Sequence, residues 1–330
     1  MQAVCQPPAA VPPRVPGVDV LDWLLDSDPA IRWQVMRDLL DCPREEWSAE
    51  RANVEIDGWG AQLLALADED GQWAGGAHFP HDFVWGGSEE GQPWTSTSHS
   101  LTQLRDFGLD PQSGSAQRAV RLVGENCRWE YAGERYWDGE VEPCINGMTV
   151  ANGSYFGVDV SSIVDRLLDE RLDDGGWNCE AENGSVRTSY DTTINVLEGL
   201  LEYEFANGKS PDVSEARRTA EEFLLKRQLF LRLSTGEPAD EDFLLLRNPT
   251  RWQYDVLRAL DYFRRSGADP DPRTATAVDH VLAKRTDDGR WVLDKNPKGR
   301  TWFDIDDGLG RPSRWVTLRA LRVLRWAGAE

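Results

Sequence analysis

Apolar residues recur at three- and four-residue spacing in six stretches of this chain, roughly 31–40, 97–107, 145–156, 189–205, 252–265 and 314–326. That period predicts helices with one apolar side. In the last stretch Leu318, Leu321 and Leu324 form an apolar stripe, while Arg319, Arg322 and Arg325 form a polar one. Between these stretches lies a second, more charged set at about 43–67, 115–129, 159–172, 214–231 and 273–285. Segment 18–26 supplies a sixth member of that set. Asp28-Pro29 reads as an N-cap followed by a first-turn proline. Alternating β-branched runs are scarce, so no sheet is expected.

One phrase recurs three times: two acidic residues, Gly, any residue, Trp. The copies end at Trp73, Trp177 and Trp291, at intervals of 104 and 114 residues. Half of either interval is close to one helix pair, so the chain divides into six pairs. The three tryptophans recur with the repeat, whereas a site occurs once, so they are expected to be structural. Six pairs, each with one member more apolar than the other, suggest two layers of helices. A closed (α/α)6 toroid and an open α-solenoid both fit that pattern.

The chain has 330 residues, 57 acidic against 36 basic, a formal net charge of −21. Phosphate neutralisation drives nucleic-acid binding, so no nucleic-acid partner is expected. No apolar run is long enough for a transmembrane segment. Segment 1–17 is rich in proline and is expected to be a disordered or loosely docked arm, ahead of one toroid domain over 18–330. The five cysteines form no CxxC pair, which predicts a reduced, cytoplasmic protein. Oligomeric state is left open.

The repeated Gly-x-Trp phrase resembles the repeat of the squalene–hopene cyclase and protein prenyltransferase superfamily. The tail Gly299-Arg300-Thr301-Trp302-Phe303, with Arg311-Pro312-Ser313-Arg314-Trp315, is similar to that of small single-toroid bacterial members, described as prenyltransferase-like or squalene-cyclase-like. So are Cys144-Ile145-Asn146-Gly147-Met148, Gly175-Gly176-Trp177-Asn178-Cys179 and Val196-Leu197-Glu198-Gly199-Leu200. The resemblance covers about residues 18–328. It implies a closed all-α toroid, with the inner helices starting at one mouth of a central cavity. It also implies an enzyme acting on an isoprenoid or other apolar chain in an aromatic-lined cavity.

Three chemistries follow for the site. Asp304-Ile305-Asp306-Asp307 matches the DxDD pattern that, in terpene cyclases, initiates cyclisation by protonation. Asp306 would be the acid, with Asp304 and Asp307 raising its pKa. Here Gly308 to Pro312 intervene before the helix, and a solvated acidic loop is the competing reading. The resemblance to protein prenyltransferases implies a zinc site, for which His99, Cys144, Cys179 and Asp191 offer the ligand types near inner-helix starts. Toroids also carry sugar-active enzymes with tryptophan platforms, for which Trp59, Trp73, Trp85 and Trp94, near His78 and His81, are candidates. Substrate contacts are expected from Trp85, Trp94, Tyr190, Asn146, Tyr254 and Arg314. Helix starts favour anions, so a diphosphate or carboxylate head group could sit there beside Arg251 or Arg314. The alternative to all of these is a non-catalytic toroid that binds a lipid, sugar or peptide.

Overall fold

The computed structural model describes residues 20–87 and 90–329; the proposed arm at 1–17 lies outside them. The described residues form thirteen α-helices and no strand, only isolated bridges. Six of the helices make an inner ring: α2 (Pro29–Asp38), α5 (Thr97–Phe107), α7 (Pro143–Phe156), α9 (Tyr190–Asn207), α11 (Val256–Arg265) and α13 (Arg314–Ala327). Each falls on one of the six apolar stretches. The fifth begins later than its sequence pattern, because Asp255 caps it by accepting from Arg258 N. Asp28 caps α2 as expected, with Pro29 in its first turn.

The outer layer is α3 (Arg44–Ala52) with α4 (Gly58–Ala65), then α6 (Gly114–Asn126), α8 (Ser161–Asp169), α10 (Pro211–Lys226) and α12 (Ala275–Ala283). Each carries the chain back, so the inner helices all start at one end. The sixth outer place is taken by α1 (Val20–Leu25), where Arg314 at the start of α13 lies over the Trp23 ring and donates to Trp23 O.

The ring closes through specific contacts. Trp33 Nε1 of α2 donates to Phe107 O of α5 (2.8 Å), and Asn152 of α7 donates to Thr102 of α5 (3.0 Å). Gly147 and Gly199 let α7 and α9 touch backbone to backbone: a Cβ on Gly199 would stand 2.4 Å from Gly147 O. Arg258 of α11 reaches Glu198 of α9 with two bonds (2.9 and 2.7 Å). α11 packs on α13, and Arg322 of α13 donates to Gln34 of α2 (2.8 Å). These links settle the toroid against the open solenoid.

The repeated tryptophans share one geometry. The indole N–H of Trp73, Trp177 and Trp291 donates to the carbonyl ten residues back, Leu63, Leu167 and Val281, at the end of an outer helix. The backbone N–H of each donates to Thr97, Thr193 or Thr317 in the first turns of the next inner helix. Each phrase therefore ties one outer helix to the following inner one. The apolar core lies between the layers in two arcs, one around α1 to α7 and one around α7 to α13. The lumen is left to the polar faces.

Candidate active site

The lumen holds a cavity of about 580 Å³. A second chamber of about 180 Å³ adjoins it and shares Gln103, Asn248, Pro249, Arg251 and Ile305 with it. The partition is thus the strap 248–251 together with Ile305.

The central lining departs from the expected aromatic surface. Trp33, Phe107 and Trp315 gather on α2, α5 and α13, with Trp59 stacked behind Phe107 and Trp315. Nine arginines and five carboxylates also line it, a formal excess of four positive charges in a strongly acidic protein. Most of these arginines have partners. Arg258 is held by Glu198, Arg265 by Glu202 (2.6 Å), Arg264 by Asp261 (2.7 Å), and Arg322 by Asp38. The Arg322 guanidinium is itself buried, which lowers its pKa to about 10. The polar stripe read on the last helix faces inward at Arg319 and Arg322, while Leu318 and Leu324 are buried in the wall.

The acidic motif sits in the smaller chamber. Asp304 and Asp307 are exposed, whereas Asp306 is half-buried. Residues 308–312 turn back onto 291–293, with Gly310 N donating to Leu293 O and Leu293 N to Arg311 O, and Ser313 at the head of α13 stays beside Asp306. Asp306 Oδ2 accepts from Asn248 Nδ2 at 2.6 Å, and Oδ1 is buried with no hydrogen-bond partner among the described residues. Burial raises its pKa to about 6 against the opposing pull of Ser313, Asn248 and Arg319; the Asp307 charge adds a smaller push upward. A carboxyl shifted in this way keeps its proton into the range where it can act as a general acid.

His99 lines the central cavity. Burial, with His78 and Arg251 beside it, holds it well below its usual range and therefore neutral. The Gln92 amide spans the two rings, 2.9 Å from His78 Nε2 and 3.2 Å from His99 Nε2. Gln92 is fixed by a close pairing of loops. Trp94 Nε1 donates to Lys298 O and Trp94 N to Arg300 O, and a Cβ on Gly299 would lie 1.7 Å from Gln92 O.

No family model matches the chain, and no curated protein does. Among solved structures it is similar to the type II terpene cyclase MstE from Scytonema without ligand: 15% identity over 87% of this chain and 100% of that one, TM-score 0.38. A second similar structure is the R337A variant of MstE in complex with geranylgeranyl dihydroxybenzoate, described as its substrate: 14% identity over 84% and 97% of the chains, TM-score 0.37.

Several expected site residues are spent on architecture. Trp85 is exposed and packs on Phe79 and Phe83 away from both chambers. Trp94 is buried in the loop pairing. Tyr190 donates to Leu231 O and Tyr254 to Leu229 O, within an aromatic cluster that includes Phe243. Asn146 bridges the N–H and C=O of Glu140. Arg314 lies on Trp23 and pairs with Asp307 at 3.7 Å. None of the six lines the central cavity. Each sits at a helix start or in a loop, where unsatisfied backbone groups claim polar side chains first.

The four expected metal ligands do not meet. Asp191 accepts from Tyr254 N (2.7 Å), and His99 stands with His78. Only Cys144 and Cys179 converge, with Glu142 as the third member, and this is the one such group among the described residues. Their Sγ atoms are 2.8 Å apart. Two thiolates on one tetrahedral zinc stand about 3.8 Å apart, given Zn–S bonds of about 2.3 Å. The two sulfurs stand closer than a shared tetrahedral zinc would hold them.

Sequence alone does not single out Asn248, Gln103 or the luminal arginines other than Arg251. The signal for the arginines was present in the polar stripe of α13, which was read without assigning it to the lumen.

Proposed function

We propose that this protein is a terpene-cyclase-like enzyme in which Asp306 donates a proton to an unsaturated, largely apolar substrate of the isoprenoid kind. The observation that carries the reading is the Asp306 carboxyl. It is half-buried beside the lumen, holds its proton to about pH 6, and has one oxygen with no hydrogen-bond partner among the described residues. In the step, the Asp306 O–H bond breaks and a C–H bond forms at the alkene. The carbocation so formed closes a ring, and a later C–H loss returns a proton to the carboxylate or to water. Trp33, Phe107 and Trp315 offer the apolar wall and cation–π stabilisation.

The test pairs a product assay with a titration. Wild-type protein is incubated in heavy water with squalene and prenyl diphosphates, and products are read by mass spectrometry. A cyclised product carrying one solvent deuteron is expected, lost in Asp306→Asn and kept in Asp304→Asn. Independently, carboxyl NMR should show Asp306 titrating near pH 6. A midpoint near pH 4, or an Asp306→Asn protein that still turns over, would sink the reading.

A further inference from the structure

Arg251 lies at the junction of the two chambers and lines both. Its guanidinium makes no hydrogen bond and no ion pair among the described residues, and its Nε is buried without a partner. Its one neighbour of note is the Trp94 ring, 5.2 Å from the guanidinium carbon. The contrast with Arg258, Arg264, Arg265 and Arg322 is specific, since each of those has a carboxylate. Asp106, on the same cavity wall, acts on Arg251 only through space; among the described residues no carboxylate makes an ion pair with it.

An enclosed guanidinium with no carboxylate in contact is costly and is retained where something else supplies the charge. Burial lowers the Arg251 pKa only to about 10, so it stays charged at neutral pH. The polar side chains around it are His99, Gln103 and Asn248, with the Asp106 carboxylate acting at longer range. A second cation, Arg319, stands behind Asn248 with its own Nε unpartnered. The strap is also preorganised. Arg251 has φ +53°, a left-handed conformation that a non-glycine residue holds only when its surroundings impose it. Its carbonyl accepts from Arg258 Nη1 (3.2 Å), and Gln253 N donates to Thr250 O (3.0 Å).

We infer that Arg251 is the seat of an oxyanion, a phosphate or carboxylate group carried by the small molecule that occupies the lumen. The planar fork of arginine suits either group. This rests on the reading that the paired chambers hold a substrate, and it adds that the substrate is anionic.

The experiment is calorimetric titration of the full chain with inorganic pyrophosphate, inorganic phosphate and succinate, at ionic strength held constant with sodium chloride. Saturable binding of at least one is expected, and the choice among them separates phosphate from carboxylate. Arg251→Met should weaken it roughly tenfold to a hundredfold, with an apo Tm no lower than wild type. Arg251→Lys, which keeps the charge and loses the fork, should weaken it less and guards against a folding failure in the first variant. The exposed Arg118→Met should change nothing. Unaltered binding in folded Arg251→Met, or no saturable binding by any of the three anions, would overturn the inference. Asp306→Asn separates the two proposals: it should bind the anion as wild type does, even if the acid reading fails.

Discussion

At the scale of single residues, Asp306 gives the most direct pH signature. Its folded pKa is raised from 3.8 to about 6. Between those values the folded state keeps a proton that the unfolded state has released. The contribution to stability is therefore complete below about pH 4 and is lost as pH rises through 6. Asp306→Asn should match wild type near pH 4 and exceed it at pH 8 by roughly 2 kcal/mol, allowing for partial exposure. Urea unfolding at the two pH values measures this, and a variant no more stable at pH 8 would contradict it. The DIDD motif could be picked out as a candidate because it is a local pattern. Arg251 was only half legible: its type and neighbourhood could be read, but its lack of a partner is a fact of three dimensions. Tyr190, Tyr254 and Asn146, expected at the substrate, lie off the central cavity lining for a related reason. Sequence shows polar residues at helix starts, but not that a loop carbonyl or amide already holds each one.

At the scale of elements, the helices were legible because period and caps are local, while the faces were not. Six apolar stretches fell on six inner helices, yet which side meets the lumen depends on neighbours remote in sequence. Luminal arginines can be polar on an inner helix because the outer layer, rather than the axis, receives the apolar face. Two elements give tests. The α7–α9 contact depends on Gly147 and Gly199, so Gly199→Ala must push the Gly147 carbonyl away. Overpacking of this kind should cost about 1–3 kcal/mol in denaturant unfolding; a change under about 0.5 kcal/mol would show that the helices part freely. Cys144, in the first turn of α7, and Cys179, in the loop before α9, have thiols in contact. Treatment with diamide should join the peptides carrying Cys144 and Cys179, as read by mass spectrometry without reduction. Independent alkylation of both thiols after diamide would count against that contact.

At the scale of the molecule, ring closure is the property no local pattern contains. The first and last inner helices meet through Arg322, which reaches Gln34 and Asp38 from nearly three hundred residues away. The arginine is buried, and with Arg37 it draws the half-buried Asp38 carboxyl down to about 2 despite the cost of desolvation. Removing one partner leaves the other charge enclosed, the expensive half of a buried ion pair. Arg322→Met should therefore lower stability by about 3 kcal/mol. The sign with pH is opposite to that of Asp306. The Asp38–Arg322 contribution is present above about pH 4 and is lost as pH falls toward 2, so the mutant deficit should shrink in acid. Hydrogen exchange gives the location. If the seam holds the ring closed, amides of α2 and α13 should exchange faster in the variant, while those of α7 and α9, on the opposite side, keep their protection. Uniform acceleration around the ring would instead mean that the seam is no weaker than its other joints.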